Sequence, residues 1–269
     1  METAAFGTAK TISTRMAEVR LLIDKARIFE DEDEAFHDAL CRSASVLLVS
    51  HIEGFLKDIV SSICIDLNYF VGDFAKMPDS LKRQFALNWV HYDGLPDREV
   101  NSRAKKLQDF FDENSVPVRL LGQNMEADGG KNPSVKVIDR LFEPLGINKI
   151  VSSLHSDFYQ RAFEGSSGAN LLLLRRCLAN RSKVYSWPYR ECSSEEFMPP
   201  PKKGDPYAGN SLWVTFIEDI LKRRHSIAHG TALENKENPT SLSWDVSKAE
   251  ALMSGLMLFA CGEIGSRYR

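Results

Sequence analysis

Between residues 33 and 70 the chain runs without a proline and with a single glycine, Gly54. Proline and clustered glycine are the strongest interruptions of a helix, so this stretch is free to form one long helix. Apolar residues recur along it at three- and four-residue steps. Leu48, Ile52, Phe55, Ile59 and Ile63 form one stripe, and Val49, Glu53, Leu56 and Val60 form a second beside it. A helix that is apolar on more than one face belongs at the centre of a bundle. The acidic run Glu30-Asp31-Glu32-Asp33-Glu34 suits its start, where negative charge complements the helix dipole.

The rest of the chain has the same period. Ile12, Met16, Val19 and Ile23 predict a helix over 8–29, and further helices are expected over 78–89 and 98–113. Others are expected over 135–145, ending at Gly146, over 148–163 and over 171–185. Turns fall at 91–97 and in the Gly- and Pro-containing stretch 122–133. Trp213, Phe216, Ile217, Ile220 and Leu221 mark an amphipathic helix from Ser211, and Ser247-x-x-Glu250 looks like a capping box opening the last one. No repeat and no alternating strand pattern is present. The expectation is all-α: a helical bundle with a long central helix and a C-terminal helix pair. It forms one domain over 1–269, with an irregular insertion around 186–210 that is either a passive linker or a substrate-contacting loop.

Composition narrows the function. The 269 residues carry a net charge of −3, so no global basic field draws the protein to nucleic acid, and any such contact has to be a local patch. The five cysteines, Cys41, Cys64, Cys177, Cys192 and Cys261, are scattered without a C-x-x-C pair, as expected of reduced thiols in a cytoplasmic protein. Met1 to Thr14 lacks the apolar core of a signal peptide. The longest apolar run, 249–260, is interrupted by Ser254 and Gly255 and falls short of the ~20 residues a membrane span needs. No membrane association is expected.

The most informative segment is Leu221-Lys222-Arg223-Arg224-His225-Ser226-Ile227-Ala228-His229-Gly230. Arg224 continues the line Ile217, Leu221, Arg224, Ala228, so an arginine rides on an apolar stripe. His225 and His229 are four apart and stack on one side of the helix. Gly230 is placed to end the helix in the left-handed conformation, leaving His229 where the carbonyl end favours positive charge. Five helical steps separate Arg224 from His229 by about 140°. One undistorted helix therefore cannot aim both at one atom. Glu53 sits between Val49 and Leu56, where an unpaired buried carboxylate would be costly, and Arg224 is its natural partner. On spacing alone, a catalytic and a purely structural role for these residues both stand.

Arg224-His225-Ser226-Ile227-Ala228-His229 resembles the R-x(4–6)-H signature of HEPN domains, with a polar residue after the arginine and Gly230 following. His225 stands where Asn is commoner. The upstream segment 45–56, with Glu53, is similar to the glutamate helix of the RiboL-PSP or MAE-type branch of that superfamily. The resemblance implies a metal-independent endoribonuclease without cofactors, working as a homodimer whose two motifs meet across a two-fold axis. Under it, His229 is the general acid/base for attack of the ribose 2′-hydroxyl on the adjacent phosphate, and Arg224 stabilises the phosphate. His225 positions or polarises one of these groups, and Glu53 orients Arg224. Arg223 and Lys222 are weaker candidates for substrate contact, and Arg175, Arg176 and Arg181 for the walls of a basic cleft. The partners implied are an RNA substrate and an antitoxin or defence-system protein, the role being that of a toxin or anti-phage effector.

Two other readings compete. His225 and His229 have the spacing of a helical zinc pair, but the glutamate of H-E-x-x-H is absent and no third ligand is evident, so no metal is expected. Gly165-Ser166-Ser167-Gly168 lacks the spacing of a serine-nucleophile elbow. The stronger alternative is a catalytically inactive HEPN-like module for dimerisation or for binding a partner or RNA.

Overall fold

The computed structural model describes residues 1–90, 94, 96–117, 134–154, 161–163, 172, 175–177, 179–192, 212–230 and 237–268. Its α-helices are α1 (Ala4–Ile28), α2 (Glu34–Phe70), α3 (Asp79–Val90), α4 (Asp97–Glu113), α5 (Val135–Phe142), α6 (Leu212–Ala228) and α7 (Pro239–Ser266). Short 3₁₀ turns, among them Arg181–Val184 and Arg190–Cys192, link them. No strand occurs among the described residues, and one isolated bridge joins Asp73 to Pro117. The fold is all-α, as the periodicity predicts.

The long helix forms as its sequence demands. Asp33 caps it by accepting a hydrogen bond from Phe36 N at 3.0 Å, satisfying an amide that has no partner inside the helix. Leu48, Ile52, Phe55, Ile59 and Ile63 are all buried, as are Val49, Leu56 and Val60. α1 runs back along α2. Ala26 O meets His37 Nδ1 at 2.9 Å at one end, and at the other the Asp66 carboxylate accepts from Ala4 N (2.7 Å) and Ala5 N (3.0 Å). Tyr189 donates to the same carboxylate at 2.6 Å, so one buried acid joins α1, α2 and the 3₁₀ region.

The most enclosed element is α7 rather than α2: every residue from Ala249 to Leu258 is buried. It packs on α1 and α2 and runs parallel to α2, since Ser243 meets Arg27 and Glu250 meets Arg20. Arg181 reaches into this centre from its 3₁₀ turn. It donates to Ser254 Oγ (3.0 Å), Ser13 Oγ (2.8 Å) and Glu250 Oε1 (3.2 Å). Arg181 is therefore a buried strut and not a cleft wall, as its place in the sequence suggested. Burial pulls its pKa below the usual arginine value, against the opposing pull of Glu250.

Several sequence expectations change. Ser247 and Glu250 do not open α7, which starts at Pro239 with Asn238 as cap, its side chain accepting from Thr240 N at 2.7 Å. Ser247 instead bonds Ser243 O within the helix, and Glu250 is spent on the buried arginine. No α-helix spans 148–154: Lys149 has φ +52°, and turns follow it. The predicted loop 122–133 lies outside the described residues. Of the stretch 186–210, only 186–192 is described, and two of its residues reach the core. Tyr189 and Cys192 are fully buried, and Gly265 of α7 approaches the Pro188 carbonyl so closely that no side chain fits there.

None of the five cysteines is in a disulfide. No described helix is long and apolar enough to cross a membrane.

Candidate active site

Two contacts orient α6. Val214 and Glu218, near its start, line a groove with Val135, Asp139 and Arg140 of α5. Ile227, at its end, lines another with Leu22 of α1 and Arg42, Val46, Leu47 and Ser50 of α2. Arg223 is tied to the beginning of α7.

The helix ends as its residues require. Ala228 is its last residue, His229 N donates to His225 O at 3.0 Å, and Gly230 takes φ +70° with its amide on Ile227 O at 3.1 Å. Only glycine adopts that conformation without strain, and it is what stops the helix at the motif. His225 and His229 lie on one side of the helix, as their spacing predicts: the ring centroids are 4.1 Å apart with the planes tilted by 52°. Both are exposed, as is Lys222, whereas Arg224 is half-buried. Two imidazoles at the open end of a helix, with an arginine before them in the sequence, are residue types able to exchange protons and hold an anion.

Glu53 differs from expectation in its burial. Its side chain is 26% exposed, and its Oε1 accepts from Lys57 Nζ at 2.8 Å, one turn further along α2. The residue stands at the edge of the apolar stripe, where Lys57 and Asp58 already face solvent. The buried acids are elsewhere. Arg223, the weaker substrate candidate, donates to Glu237 Oε2 at 2.9 Å and Asp245 Oδ2 at 2.7 Å, and both carboxylates are less than a tenth exposed. Burial lowers the pKa of Arg223, but Asp245 and Glu237 together outweigh it and leave the guanidinium above its usual value. Sequence reasoning passed over Asp245, although a signal was there. It sits on the apolar line Leu242, Asp245, Ala249, where a carboxylate demands a buried base.

Arg175 and Arg176 are exposed. Among the described residues no group of three or more His, Cys, Asp or Glu is placed to hold a metal ion.

An all-helical bundle whose penultimate helix ends in Arg-His-x-x-x-His-Gly has the character of a HEPN-type domain. A sequence model of the RiboL-PSP-HEPN family matches residues 10–256, and the chain belongs to that family. HEPN domains are generally ribonuclease-like. No curated protein and no solved structure matches the chain.

Proposed function

We propose that the protein is a cytoplasmic, metal-independent endoribonuclease that cleaves RNA by attack of the 2′-hydroxyl on the adjacent phosphate. His229 transfers the proton, Arg224 stabilises the charge building on the phosphate, His225 positions one of these groups, and Glu53 supports Arg224 from α2. The products are a 2′,3′-cyclic phosphate and a 5′-hydroxyl. The observation that supports this most is the exposed, closely set His225–His229 pair following Arg224 in a chain of the RiboL-PSP-HEPN family. The separation of about 140° between Arg224 and His229 is met by a homodimer in which each helix end faces its copy. By analogy with the family, the role is that of a toxin or anti-phage effector with an antitoxin or defence-system partner.

The test is incubation of the purified protein with total RNA in EDTA, with end-group analysis of the fragments. Wild type is expected to leave cyclic phosphates, and a folded His229→Ala variant to leave the RNA intact. Equal outcomes for the two would sink the nuclease reading. They would favour the alternative of a catalytically inactive module for dimerisation or for binding a partner or RNA, a role compatible with the engagement of Glu53 by Lys57.

A further inference from the structure

The fully buried apolar anchors of α6, Trp213, Phe216, Ile217 and Ile220, all lie in its first half. From Leu221 to Gly230 no residue is fully buried. A helix end with no buried side chain and with carbonyls lacking intrahelical partners frays, yet this is the end that carries the motif. Two things hold it. Ile227 rests in the groove beside Val46 and Leu47 of α2, and Arg223 is gripped by Glu237 and Asp245. Arg223 and Ile227 are four residues apart and share a face, whereas Arg223 and His225 are separated by about 200° around the axis. The grip on one side of the helix thus decides how the histidines stand on the other.

The geometry points to Arg223, with Glu237 and Asp245, as the positioning clamp of the site. It fixes the rotation of the last two turns of α6 and so the direction of His225 and His229. This rests on the nuclease reading for its catalytic consequence, but not for the clamp itself. Arg223 does not bind substrate, because its two bonds to buried carboxylates neutralise it. The fork of a guanidinium is what spans both acids, since a lysine ammonium is a point charge without that geometry. Lys248 Nζ stands 3.9 Å from the other oxygen of Asp245, so that acid is held from its own helix as well.

The experiment compares wild type with Arg223→Lys, Glu237→Gln and Asp245→Asn, using a single-stranded RNA oligonucleotide in EDTA. Amide hydrogen exchange over residues 222–230 and thermal melting are followed in parallel. The clamp predicts folded variants with faster exchange confined to that segment. It also predicts a kcat reduced about tenfold or more and a KM within about twofold of wild type. The carboxylate variants are the sharper arm. If Arg223 held the phosphate, freeing it from an acid would leave cleavage equal or faster, and Arg223→Lys would raise KM; that result overturns the clamp. Lower melting temperatures with unchanged kcat and unchanged exchange at 222–230 would also overturn it, leaving an ordinary stabilising ion pair. A wild type that cleaves no RNA would count against the proposed function, and the exchange data alone would then decide the clamp.

Discussion

The imidazole rings of His225 and His229 face each other across one turn of α6, 4.1 Å between centroids, at the exposed end of the helix. Two rings this close share one microenvironment, but the proposed chemistry assigns them unequal tasks. Asparagine keeps the polar contacts of an imidazole without its proton transfer. His229→Asn is therefore expected to cost about 10²-fold or more in cleavage rate, the range for a lost general acid/base. His225→Asn is expected to stay within about tenfold of wild type, because a positioning role survives the exchange. Initial rates on a defined RNA decide it, and equal losses at both positions would contradict the assignment.

Arg181 and Glu250 form an ion pair at the centre of the bundle, with side chains 7% and 5% exposed. Removing Glu250 strands the Arg181 guanidinium in a poorly solvated place, at a cost of about 3–5 kcal/mol, whereas removing Arg181 leaves Glu250 its second partner, Arg20 at 2.5 Å. Glu250→Ala should lower the unfolding free energy by an amount of that order, and Arg181→Ala by less, measured in denaturant. The double variant Arg181→Met/Glu250→Leu should be closer to wild type than either. A loss below about 1 kcal/mol in the single variants, as for an exposed pair, would contradict this picture.

Gly230 has φ +70° and open space around the position of a Cβ. Gly230→Ala meets no neighbour and feels only the backbone penalty, about 1 kcal/mol. The consequence should be local: a melting temperature little changed, and faster amide exchange at Ala228 and His229. Gly230→Asn should recover most of the difference, since asparagine tolerates the left-handed region.

Four of the five thiols are held protonated by burial. Desolvation raises Cys64 and Cys192 to about 12, and Cys41 to about 11 with further help from Asp38. Cys261 is pushed well above its usual value by burial, with Cys192 and Asp66 adding to it. At pH 8 the folded protein should react with a thiol reagent far more slowly than the same protein in denaturant. A rapid burst of labelling in the native state would be at odds with these environments.

How much of this was legible depended on where the physics is local. The bounds of α2 were, because Asp33 caps it and nothing inside interrupts it. The end of α6 was too, because Gly230 is a stop signal in its own right. The start of α7 was not: Ser247-x-x-Glu250 imitates a capping box, while Asn238-Pro239, an equally good start, is what the chain uses. Non-local pairings were the least legible. That a buried acid requires a buried base was sound, but Glu53 is only partly buried. The acids that obey it are Asp245 and Glu250, whose partners Arg223 and Arg181 lie 22 and 69 residues away. The candidate histidines could be found from spacing, but the clamp beside them could not.

The enclosure of α7 bears on how such a protein comes into being. Helices α1 and α2 are made before α7, and the apolar surface they share is covered by this helix, which follows all the other described ones in the chain. Until then the pairing of Arg223 with Asp245 has no second member, and the turn bearing His225 and His229 has only the contact of Ile227 with α2. Covering of the core and fixing of the turn that bears the two histidines thus depend on the same late helix.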